Sequence, residues 1–187
     1  MNTIANKSKT FFSATMIVAL IFFFNTCKSQ LSNTPTEETG IKTDICILGG
    51  SEAGFTAAIQ AARMGKDVVL IEPTGHPGGM MVEGIVKDIK FGSSVVIGGI
   101  AREIYTAIES YYGREPQFGK KGWYSRYEPK IAELVIEQFL EKEEGITIIR
   151  KTRISEKDGV QKQGGRIEKI LLENGIEISA AVFIDAS

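Results

Sequence analysis

The chain of 187 residues is poor in the side chains that hold metals or staple small folds. It has one histidine, His76, and two cysteines, Cys27 and Cys46. A multi-histidine metal site is therefore excluded, and no metal ligand is assigned. The two cysteines have neither zinc-ligand spacing nor the numbers of a disulfide framework. Positive charge is not in excess either: 22 Lys+Arg stand against 23 Asp+Glu, a formal charge of −1. With no basic run and no aromatic-basic interleaving, a nucleic-acid partner is not expected. The longest apolar run, FFSATMIVALIFFF at 11–24, falls short of the ~20 residues that span a bilayer. What remains is ordinary for about one globular domain, at 43% hydrophobic and 24% charged residues.

The N-terminal segment differs in kind from the rest. Lys7 and Lys9 precede the apolar run, and Cys27 follows it in NTCKSQ. A basic start and an h-region of this length suit an export signal. A cysteine at that place resembles the lipobox of bacterial lipoproteins, whose thiol is lipidated and becomes the mature N-terminus. Residues 1–27 are accordingly expected to be a signal peptide of lipoprotein type, with Cys27 as the lipidation site. The alternatives are an uncleaved anchor, or a plain signal peptide with an incidental cysteine. Residues 28–40, KSQLSNTPTEETG, are polar and aperiodic and read as a flexible tether. Removing 1–27 takes away only Lys7 and Lys9, which leaves 20 basic and 23 acidic residues and a charge of −3. Membrane contact is then expected through the lipid, with the protein exported to the periplasm or outer membrane.

The domain proper, 41–187, opens with IKTDICILGG, the β-branched and apolar composition of a buried strand. A glycine turn follows, then EAGFTAAIQAARMG reads as a helix closed at Gly65. KDVVLIE is a second strand bounded by Gly65 and Pro73. Strand, glycine turn, helix and strand make a βαβ unit, the context in which a G-x-G-x-x-G motif binds a dinucleotide. Gly49, Ser51 and Gly54 occupy the three glycine positions, so the middle one carries serine. Gly49 permits the tight turn, and Gly54 with Ala57, Ala58, Ala61 and Ala62 lets the helix lie close to the sheet. The turn residues Gly49, Gly50, Ser51, Glu52, Ala53 and Gly54 present a helix N-terminus to a pyrophosphate. The Ser51 hydroxyl could itself bond a phosphate. Glu72 ends the second strand, where its carboxylate can accept from both ribose hydroxyls and repel a 2′-phosphate. NADP is thereby disfavoured. A plain structural βαβ unit is the bland reading of the same residues.

The segments that follow choose between cofactors. Glu72-Pro73 with Gly78-Gly79-Met80, then Ile97-Gly98-Gly99-Ile100-Ala101-Arg102-Glu103, then Tyr127-Glu128-Pro129 opening a helix, then Val182-Phe183-Ile184-Asp185-Ala186-Ser187 form four ordered motifs. Together they resemble FAD-dependent oxidoreductases of the glutathione-reductase type, in a bacterial branch, from about Thr43 to the last residue. Lys130 departs from that pattern, in which a histidine follows the proline. The resemblance implies an α/β fold: a Rossmann-like βαβ FAD-binding domain with a parallel sheet and a β-hairpin, incomplete at the C-terminus. It implies FAD as cofactor, with Pro73, Gly78, Gly79 and Met80 near its ribityl and flavin portions. Thr152, after the strand GITIIRKT, and Ala186 and Ser187 are further cofactor contacts on the same basis. Catalytic residues stay unassigned. The chain is expected to be the N-terminal part of an enzyme acting on a small organic substrate.

Other stretches complete the reading. Ile100, Ile104 and Ile108 share one face of a helix over 100–112. Pro129 suits a first helical position, and Ile131, Leu134, Val135 and Phe139 form an apolar stripe behind it. RIEKILLENGIEISAAVFIDAS reads as a hairpin turning at Asn174-Gly175. His76 is either a proton donor near the flavin loop or a turn residue, and Cys46 is a buried filler. Two rival functions stay open: a NAD-binding dehydrogenase that uses Glu72 in the same way, and a non-catalytic exported nucleotide-binding lipoprotein.

Overall fold

The structure is a computed structural model, and it describes residues 40–84, 87–90, 97–120 and 124–187. The signal segment, Cys27 and residues 28–39 of the tether lie outside the described residues; Gly40, expected to end the tether, already pairs in the first strand. Among those described, no helix is long and apolar enough to cross a membrane.

Strand β1 (Gly40–Leu48), helix α1 (Glu52–Arg63) and strand β2 (Val68–Glu72) form the expected βαβ unit. β1 and β2 pair in parallel, with Ile45 opposite Val68 and Leu48 opposite Ile71. β2 is buried at all five residues, which is why VVLIE reads as a continuous apolar run instead of alternating. Helix α3 (Pro129–Glu141) carries the chain from β2 towards β5 (Ile146–Arg150), which lies parallel to β2 on its far side. The chain then crosses to the other side of β1. There β8 (Glu177–Asp185) runs parallel to β1 from Gly40↔Glu177 to Leu48↔Asp185. The six-stranded sheet has the order β5-β2-β1-β8-β7-β6, where β6 is Val160–Gln163 and β7 is Arg166–Leu171. The strand order thus reverses between β1 and β8, and ligands of open α/β sheets bind at such a switch point.

β7 and β8 form the antiparallel hairpin read from Asn174-Gly175, with Leu172 N–H donating to Ile176 at 2.9 Å. A second hairpin, β6–β7, and a two-stranded ribbon of β3 (Lys87–Lys90) and β4 (Tyr124–Tyr127) were not foreseen.

Two cores flank the sheet. On the helical side Ile47, Phe55, Ala58, Ile59 and Leu70 pack with Ile104 and Ile108 of α2 (Gly99–Tyr111) and with Val135, Ile136 and Leu140 of α3. The buried stripe of α3 is Ile131, Ala132, Val135, Ile136 and Leu140. Leu134 faces solvent instead of joining that stripe, and Phe139 is only partly buried. Arg102 and Glu103 serve surface packing. Arg102 lies over the Phe118 ring, and Glu103 pairs with Arg63 of α1 at 2.8 Å.

On the other side, Cys46 packs with Val69, Ile71, Ile170, Leu172 and Ile178. Burial pushes the Cys46 thiol up to about 12, because a thiolate has no solvation there. Native protein at pH 8 should therefore leave Cys46 unreactive towards a disulfide reagent, while urea-unfolded protein reacts at once. Equal rates in the two states would contradict this packing. The raised folded-state value also means that this thiol's contribution to stability is lost as pH climbs from about 9 towards 12.

Candidate functional site

The site lies at the C-terminal ends of β1 and β8, where α1 begins. Gly49 takes φ +92°, a left-handed turn open to glycine at little cost. A Cβ there would come within 2.7 Å of the Ala186 carbonyl oxygen and Ser187 Cα. Gly54 has a stricter reason to be glycine, since a Cβ would overlap the Gly49 carbonyl oxygen and reach within 3.4 Å of Ala186 Cβ. Gly54 is thus required by the approach of α1 to the turn itself, and Gly49 by the turn's close approach to the end of β8. That end is fixed in turn by Ala186 N–H donating to Leu48 at 2.8 Å.

Ser51 is the N-cap of α1, at φ −59° and ψ 177°. Its hydroxyl accepts from Gly54 N–H at 3.4 Å and donates to the Ala186 carbonyl at 2.5 Å. The serine is thus a cap of the preferred kind. Its single proton is already committed to protein, against the expectation that it serves a phosphate. The N–H groups of Ser51, Glu52 and Ala53 meet no protein acceptor among the described residues. Three consecutive open donors at the positive end of a 12-residue helix suit a pyrophosphate, which is the first test of fit for a dinucleotide.

Glu72 is 5% exposed and reaches into the turn from the end of β2. Its Oε2 accepts from Gly50 N–H at 2.8 Å, and its Oε1 accepts from Thr74 N–H at 2.6 Å and Thr74 Oγ1 at 2.7 Å. A carboxylate offers about four acceptor positions, so one on Oε2 is left. That is enough for one ribose hydroxyl, where the sequence reading had two. Pro73 follows, half-buried.

The loop after it folds back over α1. Gly78 N–H donates to Gly50 at 2.7 Å, and Met81 N–H donates to Glu52 Oε1 at 3.0 Å. Gly79 therefore lies against Ser51 and Glu52, and Met80 is left 74% exposed. A cavity of about 630 Å³ opens beside it, lined chiefly by Phe55, Met80, Met81, Ala101 and Ile104. Glu52 belongs to both the turn and this cavity.

Thr152 follows β5, beside the point where Lys151 N–H donates to the Glu72 carbonyl at 2.8 Å. The residue is 5% exposed, and its hydroxyl has no hydrogen-bond partner among the described residues. A buried hydroxyl without a partner is uncommon, and here it lies at the side of the sheet where the adenosine was expected. Ser187 N–H and hydroxyl both bond Asp185 Oδ1, at 3.1 and 2.8 Å, and hold that carboxyl below its usual value.

His76 is not drawn into the turn. Its Nδ1 lies 2.6 Å from Glu133 Oε1 of α3, with the ring largely exposed. Arg150, which the sequence reading passed over, braces the same loop. It makes a bidentate pair with Glu137 at 2.9 and 2.7 Å and donates to the Gly75 carbonyl at 3.0 Å. Its position as the last residue of β5 was the available signal. Among the described residues no cluster of three or more His, Cys, Asp or Glu could hold a metal.

Comparison with known proteins agrees with this geometry. Residues 44–187 match the family described as FAD dependent oxidoreductase. No curated protein matches the chain. Among solved structures it resembles THI4 of Thermovibrio ammonificans, with a TM-score of 0.53 and 19% identity over 97% of this chain and 66% of that one. GidA of Aquifex aeolicus follows the same fold at a TM-score of 0.52 and 17% identity, over 77% and 24% of the two chains. So does an L-amino acid deaminase from Proteus vulgaris, at 0.53 and 12% over 78% and 47%. The chain spans between about a quarter and two thirds of the length of these structures.

Proposed function

The chain belongs to the FAD dependent oxidoreductase family, and from that premise we propose that residues 40–187 hold the adenosine and pyrophosphate of FAD in an exported enzyme that oxidises or reduces a small organic molecule. The observation that carries this reading is the open N-terminus of α1 between β1 and β8, with Glu72 one hydrogen bond away. Bound flavin would supply the redox chemistry. The N–H groups of Ser51, Glu52 and Ala53 would bind the pyrophosphate, and the free Oε2 position of Glu72 would take a ribose hydroxyl. Gly78, Gly79 and Met80 would lie along the ribityl chain and flavin, where close backbone approach is needed. The unpartnered Thr152 hydroxyl would lie by the adenosine.

Purified protein loaded with FAD and desalted should keep visible flavin absorption. Protein that stays colourless after excess FAD would overturn the reading, and retention of NAD in place of FAD would favour the dehydrogenase alternative. Lys7, Lys9, the apolar run and Cys27 support export with lipidation. Cys27→Ser should move the protein from the membrane fraction to the soluble one; unchanged partitioning would argue against the lipid.

A further inference from the structure

The middle position of the motif holds more than a tolerated substitute for glycine. A helix N-terminus attracts an anion because its N–H groups point outward and no lone pairs oppose them. The end of β8 disturbs that condition, because the Ala186 carbonyl is directed at the same turn, 2.5 Å from Ser51 Oγ. The carbonyl's partial negative charge thus lies against the turn at Gly49 and Ser51, the turn that carries the open donors of Ser51, Glu52 and Ala53. A glycine at position 51 would leave it bare. The Ser51 hydroxyl covers it by donating its proton there, while its own lone pair is turned to Gly54 N–H. The backbone at Ser51, φ −59° and ψ 177°, is open to any residue, so the serine adds no strain.

We propose that Ser51 is a positioning residue that masks the Ala186 carbonyl, so that the start of α1 presents only donors to the pyrophosphate of FAD. This rests on the FAD reading above. It runs opposite to a direct hydrogen bond from the hydroxyl to phosphate, since one proton cannot serve both acceptors.

The test compares ligands with and without the diphosphate. FAD, ADP and adenosine are titrated calorimetrically into wild-type protein and into Ser51→Ala, Ser51→Gly and Ser51→Thr. Ser51→Ala and Ser51→Gly should weaken FAD and ADP roughly tenfold, the scale of one hydrogen bond near a charged group, while adenosine binding stays as in wild type. Ser51→Thr, which keeps the hydroxyl, should restore both ligands. Loss of the helix cap lowers the melting temperature of the alanine variant, but that loss does not discriminate ADP from adenosine. Tighter ADP binding by the glycine variant, or adenosine weakening in step with ADP, would overturn the role given to Ser51. Wild-type protein that binds no FAD would instead bring down the FAD reading and this inference with it.

Discussion

Glu72→Ala should cost the protein both its nucleotide and a substantial part of its stability. The carboxylate accepts three hydrogen bonds, from Gly50 N–H, Thr74 N–H and Thr74 Oγ1. Alanine leaves the buried Gly50 N–H without an acceptor and frees the chain at Thr74. An unsatisfied buried donor costs about 1–3 kcal/mol, and bonds to a charged acceptor are at the strong end. A total loss of about 3–4 kcal/mol is therefore expected in urea unfolding. FAD affinity should fall more steeply than stability, because Gly50 begins the turn on which the pyrophosphate donors stand. Glu72→Gln separates the two effects. It keeps the volume, but its NH₂ group faces a donor whichever way the amide is turned, so it should fold with an intermediate loss. An alanine variant within about 0.5 kcal/mol of wild type, with unchanged FAD titration, would show that Glu72 organises nothing.

Gly54→Ala is the second large effect. Here the added methyl overlaps the Gly49 carbonyl oxygen, which is backbone and cannot rotate away. Either α1 slides off the sheet or the β1 turn opens. Phe55, Ala58 and Ile59 are 0–1% exposed along the same helix, so sliding disturbs the helical core. Overpacking of this kind costs roughly 3 kcal/mol or more. Gly65→Ala is the control: Gly65 has φ +75°, yet nothing lies within 4 Å of the added Cβ. It should cost only about 1 kcal/mol for the left-handed backbone. Chemical denaturation measures both; equal losses in the two variants would remove the case for close contact between the start of α1 and the Gly49 carbonyl.

Much of this site could be read from the sequence because its parts are local. β1, the turn, α1 and β2 fall within Gly40–Glu72, and each announces itself by composition, small residues or glycine. The Asn174-Gly175 hairpin and the isoleucine face of α2 were equally plain. What escaped depends on partners far along the chain. Nothing near Ser51 says that its hydroxyl bonds a carbonyl 135 residues away, so it looked free for phosphate. β6, VQKQ, has three polar residues of four and pairs only because β7 lies beside it. On α3, the helical period alone could not tell Leu134 from Ala132. The smaller residue is fully buried, while the larger one is 44% exposed.

The pairing of β1 with β8 also has a consequence in time. β1 is the first described strand to leave the ribosome and β8 the last, and they lie side by side along nine residues. Contacts of such sequence separation form late, because a long loop must close before they can. Until Asp185 is available, β1 has β2 on one edge and no partner on the other. If the chain is exported as proposed, that delay would favour its passage through a pore that admits only unfolded chains. The strand that completes the nucleotide crevice would thus also keep the sheet from closing until nearly the whole described domain has been made.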